Sequence, residues 1–386
     1  MHLPLMTKAR LVVSAMIVAL SCNAVADDNL DPLDAVVEDA AKSVMTLYGI
    51  PGMAVAVTSH GQQRFFEFGQ VSKNTGQPVT RDTLFEVGSV SKTLTATLAA
   101  YAQAQGKLSL SDSPSRYLTA LDNDQLERIS LINLATHTAG GFPLQLPDGI
   151  QTEQQLTQYF NSWQPLSPTG TYRSYANPSI GLLGRVAAKS LGMTYADALQ
   201  SELLPKLGMT DTYIAVPPEQ MKRYAQGYNK DGQPVRLTPT LLADEAYGVV
   251  TTSEDLLRFV NAQLGLVETD PSIKSAMAAT RAGYYRVGAM TQDLIWEQYA
   301  YPVKLDDLLA GNGSRMVLER QPVESINPPL EPQQSVWINK TGSTNGFGAY
   351  VAFVPAKQVG IVILANRYYP NEERIKLAHR ILGQLD

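Results

Sequence analysis

The chain has 386 residues, of which 44% are hydrophobic and 17% are charged. This composition is typical of a globular protein with a large core, and it excludes the fibrous and intrinsically disordered classes. The formal net charge of −5 lacks the basic excess that neutralises nucleic-acid phosphates, so we expect no nucleic-acid partner.

The first 26 residues predict a cleavable secretory signal peptide. Lys8 and Arg10 precede an apolar run at 11–20, and the segment ends in an Ala-x-Ala cleavage pattern at Ala26. The apolar run is about half of the roughly 20 residues that span a bilayer, which disfavours a membrane anchor. We therefore predict a periplasmic mature chain that begins at residue 27 and does not associate with the membrane.

The chain contains one cysteine, Cys22, which lies within the predicted signal peptide. The mature chain would then have no disulfide, although it leaves the reducing cytosol, and its stability would depend on core packing. Lipidation of Cys22 stays open as an alternative.

The hydrophobic pattern changes from strand-like to helical and back along the mature chain. Strands are predicted over 53–58, 64–68, 335–340, 347–354 and 359–365. Helices are predicted over 34–47, 94–105, 253–264 and about 372–385.

Because the predicted strands cluster at both ends, we predict an α+β fold. An antiparallel sheet would be built from the N- and C-terminal segments, with a mainly helical region inserted between them. Residues 27–386 would form one unit, with a sheet lobe of about 27–90 and 325–386 and a helical lobe of about 91–324. A cleft between two such lobes is a natural small-molecule site. Nothing in the sequence requires more than a monomer.

Metal or nucleotide chemistry has little support in the sequence. The four histidines, His2, His60, His137 and His379, are scattered and form no zinc-binding motif. The chain also has neither a phosphate-binding glycine loop nor a Gly-x-Ser-x-Gly elbow. We predict no metal and no cofactor.

The sequence contains a single Ser-x-x-Lys motif, Ser89 to Lys92, directly before a predicted helix. Residues three apart in a first helical turn share a face, so the lysine amine can reach the serine hydroxyl. A serine needs such a neighbouring base to become a nucleophile. Roughly one Ser-x-x-Lys match is expected by chance in a chain of this length. The alternative to a catalytic pair is therefore a helix-capping serine followed by a solvated lysine.

Two further polar motifs follow. Tyr175 and Asn177 lie in a loop, where a tyrosine near ammonium groups ionises more easily and an asparagine can orient a lysine or a substrate amide. Lys340, Thr341 and Gly342 end a predicted strand, where a lysine, a hydroxyl and an unobstructed strand edge suit a substrate carboxylate. Taken singly, both motifs could be ordinary polar turns.

The three motifs occur in an order known from serine enzymes that react with β-lactams, and the chain resembles the class C serine β-lactamases over nearly its whole mature length. The resembling segments are 88–92, 137–141, 175–177, 246–248, 340–348 and 364–371. This resemblance implies the β-lactamase/D,D-peptidase-like fold and hydrolysis of β-lactam antibiotics, cephalosporins preferred.

The resemblance also implies catalytic roles. Ser89 is the acylated nucleophile, Lys92 helps to deprotonate it, and Tyr175 moves protons in acylation and deacylation. Lys340 supports Tyr175 electrostatically. The main-chain N–H groups of Ser89 and Ser343 form the oxyanion hole.

By the same resemblance, seven residues bind substrate: Gln145, Asn177, Tyr247, Thr341, Ser343, Asn371 and Arg374. Asn371 has an alternative as a helix N-cap and Arg374 as a solvated first-turn cation. His137 is expected to be structural. The sequence departs from the family at Tyr368, where the family often has asparagine, and this puts the detail of carboxylate binding in question.

Three alternatives to a β-lactamase remain open: two enzymes on the same scaffold and one protein of another class. A D-Ala-D-Ala carboxypeptidase or a serine esterase would also acylate Ser89, and differs from a β-lactamase in deacylation. A penicillin-binding sensor would need a membrane helix coupled to a further domain. Residues 340–348 and the Tyr-Pro-Asn ending at Asn371 favour the β-lactamase.

Overall fold

The structure is a computed structural model that describes His2 and residues 31–385. His2 apart, the predicted signal peptide and Cys22 lie outside the described residues. Among the residues described, no helix is long and apolar enough to cross a membrane.

A nine-stranded antiparallel sheet organises the fold. In chain order its strands are β1 (Gly52–Ser59), β2 (Gln62–Gly69), β3 (Gly283–Val287), β4 (Met290–Gln292), β5 (Glu297–Ala300), β6 (Glu324–Leu330), β7 (Val336–Ser343), β8 (Gly348–Val354) and β9 (Val359–Ala365). In space the order is β6-β3-β4-β5-β7-β8-β9-β1-β2. The N-terminal hairpin therefore pairs with the last strand of the chain, with Met53 opposite Ala365 and Ser59 opposite Val359.

Eight longer or functionally placed helices surround the sheet: α1 (Pro32–Tyr48), α2 (Ser91–Ala104), α3 (Glu153–Ser162), α4 (Asn177–Ser190), α5 (Ala243–Ala246), α6 (Ser253–Gln263), α7 (Pro271–Thr280) and α8 (Asn371–Leu382). The remaining α-helices are short: Asp124–Glu127, Leu131–Ala135, Tyr195–Asp197, Leu204–Leu207, Leu305–Gly311 and Ser314–Leu318. Two-residue strands pair Phe85–Glu86 with Val250–Thr251, Tyr172–Arg173 with Gln321–Pro322, and Gly227–Tyr228 with Pro234–Val235.

The central strands are buried on both faces because helices cover both sides of the sheet. Along β1, Met53 and Val55 pack into the core beneath α1 and α8, whereas Ala54 and Ala56 pack into the core beneath α2 and α6. This alternation follows the period of two in a strand. Full burial of each larger aliphatic side chain contributes about 1.5–3 kcal/mol.

The sequence-predicted strands and helices at both ends of the chain are confirmed, and so is the α+β class. The sheet also takes in β3, β4 and β5, which lie inside the range predicted for the helical lobe. These strands are three to five residues long and carry buried polar side chains such as Gln292 and Glu297. They lack the apolar run by which a buried strand is recognised.

Candidate active site

Ser89 lies in a tight turn, Gly88–Val90, directly before α2. The end of β7 presses against this turn. A Cβ on Gly88, which has φ +50°, would lie 2.4 Å from the Ser343 carbonyl oxygen, and one on Gly342 would lie 2.0 Å from the Val87 oxygen. Only glycine permits this backbone approach, which places the main chain of Ser343 beside Ser89.

Lys92 lies in the first turn of α2 and is fully buried beneath the serine. Its Nζ donates to Ser89 Oγ at 2.9 Å and to the carbonyl oxygen of Ala246, in α5, at 2.7 Å. Burial, assisted by the charge of Lys340 and partly offset by Tyr175, lowers the pKa of Lys92 to about 8. A lysine in this state can exchange a proton with the serine hydroxyl near neutral pH.

Tyr175 lies just before α4, among three cations. Lys92 Nζ, Lys340 Nζ and the Arg173 guanidinium carbon are 5.3, 5.2 and 5.3 Å from the centre of its ring. Burial would raise the pKa of Tyr175, but the charges of Lys340 and Lys92 and a hydrogen bond from Ser89 outweigh it and lower the pKa to about 8. This tyrosine is therefore suited to accept and return a proton.

A buried ion-pair network supports Lys340. Its Nζ lies 3.4 Å from Glu297 Oε1, and the Arg173 guanidinium donates to the same carboxylate oxygen at 3.0 Å. Arg173 also donates to Gln292 Oε1 at 2.6 Å and to the Met316 carbonyl at 2.7 Å. Two cations sharing one carboxylate leave net positive charge beside Tyr175.

The serine opens into a cleft of about 740 Å³. Nine of the eleven residues predicted from sequence line it: Ser89, Gln145, Tyr175, Asn177, Tyr247, Lys340, Thr341, Ser343 and Asn371. Asn177 Oδ1 is buried without a hydrogen-bond partner among the described residues, so it is available to a ligand N–H group. Tyr368, where the sequence departs from its family, also lines the cleft.

Lys92 and Arg374 do not line the cleft. The alternative of a solvated Arg374 is wrong, because its side chain is fully buried and donates to Gly342 O at 2.6 Å, to Ser343 Oγ at 2.8 Å and to Tyr369 O. Arg374 thus holds the end of β7 from beneath. The alternative of Asn371 as an N-cap is also wrong, since Pro370 occupies that position and no side chain caps the helix.

Sequence reasoning missed the residues that support the site. Arg173 lies more than a hundred residues before Gln292 and Glu297 in sequence, and no short motif joins it to them. Arg173 had one available signal, its position two residues before Tyr175. No group of three or more His, Cys, Asp or Glu side chains is placed to hold a metal ion in the part of the chain that the structure describes.

An antiparallel sheet with inserted helices, and a cleft holding the serine, the tyrosine and the Lys-Thr-Gly strand, define the penicillin-recognising serine hydrolases. A family model described as beta-lactamase matches residues 37–386. The chain belongs to the β-lactamase family.

Individual relatives agree with this assignment. A β-lactamase of Lysobacter lactamgenus is 51% identical over 349 residues, which cover 90% of this chain and 91% of that protein. A crystal structure of a β-lactamase/D-alanine carboxypeptidase from Pseudomonas syringae matches with a TM-score of 0.90 and 54% identity, over 92% of this chain and 99% of that one. A class C β-lactamase in complex with cefoxitin matches with a TM-score of 0.89 and 48% identity, over 91% and 98%.

Proposed function

We propose that the protein hydrolyses β-lactam antibiotics, with a preference for cephalosporins, through a covalent acyl-enzyme on Ser89. The observation that carries this proposal is the contact of 2.9 Å between Lys92 Nζ and Ser89 Oγ, beside a tyrosine whose pKa is lowered to about 8. The β-lactamase family membership and the cefoxitin-bound structural relative support the substrate class.

In acylation, Ser89 Oγ attacks the β-lactam carbonyl carbon while its proton passes to Lys92 or Tyr175. The resulting oxyanion accepts hydrogen bonds from the main-chain N–H groups of Ser89 and Ser343, which the glycine contacts of the turn bring together. The ring C–N bond then breaks, and Tyr175 returns the proton to the departing nitrogen.

In deacylation, Tyr175 takes a proton from water as the water oxygen attacks the ester carbonyl, and Ser89 Oγ leaves with a proton. A carboxylate base is not needed. Glu297, which lines the cleft, is engaged by Arg173 and Lys340. The tyrosine therefore acts in both halves of the reaction.

Substrate recognition divides between the two sides of the cleft. Gln145 and Asn177 would bind the amide of the acyl side chain, with Tyr247 as the wall beside it. Thr341, Ser343 and Asn371 would bind the substrate carboxylate, and Arg374 would act through Ser343, to which it donates at 2.8 Å.

The test is steady-state hydrolysis of a chromogenic cephalosporin by the purified mature protein in the presence of EDTA, with Ser89→Ala as the matched control. We expect many turnovers per enzyme in the wild type and none in the variant. A stoichiometric burst that stops would instead indicate a D-Ala-D-Ala carboxypeptidase or a penicillin-binding sensor.

The carboxypeptidase is the second candidate, because one structural relative is described as a β-lactamase/D-alanine carboxypeptidase. It is tested by release of D-alanine from a peptide ending in D-Ala-D-Ala. A serine esterase, the other alternative, is tested with simple chromogenic esters.

We further propose that the mature protein is a periplasmic monomer that begins at residue 27, with its cleft between a sheet lobe and a helical lobe. The Ala-x-Ala pattern at Ala26 supports cleavage there. N-terminal sequencing of protein from the periplasmic fraction tests both the location and the cleavage site, and sedimentation tests the monomer.

A further inference from the structure

His137 lies directly beneath Tyr175 and is almost completely buried. Its imidazole ring is 4.4 Å from the tyrosine ring, centre to centre, at an angle of 42°. The sequence predicts only a structural role for this residue, and the proposed catalytic steps do not use it.

The histidine binds the main chain on both sides of the tyrosine. Its carbonyl oxygen accepts the N–H of Ser174 at 2.8 Å, and its Nδ1 accepts the N–H of Ala176 at 3.2 Å. One residue thus fixes the backbone before and after Tyr175, while its ring supports the face of the phenol.

Two local costs accompany this arrangement. His137 has φ +60°, a left-handed conformation that non-glycine residues rarely adopt. Its Nε2 is buried with no hydrogen-bond partner among the described residues. Strained and unsatisfied groups of this kind concentrate at functional sites, where the surrounding structure holds them in place.

The environment keeps the ring neutral, as its hydrogen bond requires. Burial, followed by the charges of Arg173, Lys92 and Lys340, holds the pKa of His137 well below its usual range. The neutral ring can therefore accept the Ala176 N–H at Nδ1 and carries its proton on Nε2. A protonated ring would lose the acceptor.

We propose that His137 is the positioning residue for Tyr175: it clamps the main chain on both sides of the tyrosine and holds the phenol between Lys92 and Lys340. The catalytic part of this inference rests on the proposed function. The placement of the phenol does not depend on the proposed function, because it can be measured without substrate.

The test compares His137→Leu, which removes the Nδ1 acceptor, with His137→Asn, whose Oδ1 can replace that acceptor and which tolerates a positive φ. The matched control is His60→Leu, because His60 also has a positive φ (+48°) but lies exposed in the turn between β1 and β2. If His137→Leu does not fold, His137→Gln replaces it. The glutamine amide extends beyond the position of Nδ1 and so does not accept the Ala176 N–H in the same place.

We expect His137→Leu to lower kcat/KM for a chromogenic cephalosporin by about 10- to 100-fold, as displaced catalytic groups do. The pKa of Tyr175 rises from about 8 towards its ordinary value, because the ring moves away from Lys340 and Lys92. His137→Asn retains most of the activity and the low pKa, and His60→Leu changes neither.

The tyrosine pKa is read by NMR titration of ¹³C-labelled tyrosine, with the Tyr175 signal assigned from Tyr175→Phe. This measurement stands even if the wild type does not turn over β-lactams, so failure of the proposed function and failure of the clamp are distinguishable. An unchanged Tyr175 pKa in His137→Leu, or in His137→Gln, overturns the proposal, whatever the change in melting temperature.

Discussion

Replacement of Lys340 by glutamine tests the electrostatic basis of the site. The Lys340 ammonium lies 5.2 Å from the centre of the Tyr175 ring. If this distance to the ring centre is taken as the separation of the charges, two unit charges interact by about 3 kcal/mol at an effective dielectric constant of about 20. Since about 1.4 kcal/mol equals one pKa unit, loss of the charge raises the pKa of Tyr175 by about 2 units.

Loss of the Lys340 charge lowers activity at neutral pH more than at alkaline pH. Tyr175 accepts protons as tyrosinate, so a higher pKa lowers the active population at neutral pH and restores it at alkaline pH. Lys340→Gln is therefore expected to lower kcat/KM at neutral pH by about 100-fold and to shift the limb of the pH profile to higher pH. The Glu297 carboxylate keeps its bond to Arg173 at 3.0 Å, so no buried charge is left unpaired.

The assay is kcat/KM for a chromogenic cephalosporin across neutral and alkaline pH, with Lys340→Arg as the control that keeps the charge. Lys340→Arg should retain the limb near its wild-type position. A Lys340→Gln enzyme that loses activity equally at every pH would refute the electrostatic reasoning, because that result would indicate only a structural or contact role for the lysine.

Three further substitutions have definite expectations. Tyr175→Phe lowers turnover by orders of magnitude but leaves the melting temperature near that of the wild type. Activity assays and thermal unfolding measure the two effects. Near-normal turnover would contradict the proton-transfer role of the tyrosine. Gly342→Ala places a methyl group 2.0 Å from the Val87 oxygen, so kcat/KM falls by about 100-fold or more and the melting temperature falls with it. Arg374→Met leaves buried acceptors unpaired and lowers the free energy of unfolding by about 1–3 kcal/mol in urea titrations. Because the hydrogen bond to Ser343 is also lost, the KM for the cephalosporin rises. An unchanged KM would show that the arginine is purely structural.

The ends of the fold were predictable from sequence because their strands are long and apolar. Residues 348–354 and 359–365 are buried throughout, and such runs are recognised by composition alone. Strands β3, β4 and β5 were not predictable from sequence. Their polar residues Gln292 and Glu297 are buried because they form hydrogen bonds and ion pairs with polar partners. Burial of that kind depends on residues distant in sequence.

The same contrast applies to the site. Ser89 and Lys92 were identified because two residues three positions apart in one turn carry the chemistry, and a short motif records that spacing. Arg173 and Glu297 could not be identified, because their role exists only once two distant segments meet. Arg374 was found by resemblance, but its position beneath Ser343 depends on the packing of α8 against the sheet.

The position of β1 in the sheet has a consequence for the order in which the protein can be made. β1 pairs with β9, some three hundred residues later in the chain. A nascent chain that already contains Ser89, Lys92 and Tyr175 therefore has no partner for one edge of its N-terminal hairpin until synthesis is almost complete. Contacts of such long sequence separation form late and slowly. A ribosome-bound chain that stops before Val359 should thus contain Ser89, Lys92, Tyr175 and Lys340 and yet show no activity, because β9 is missing from the sheet.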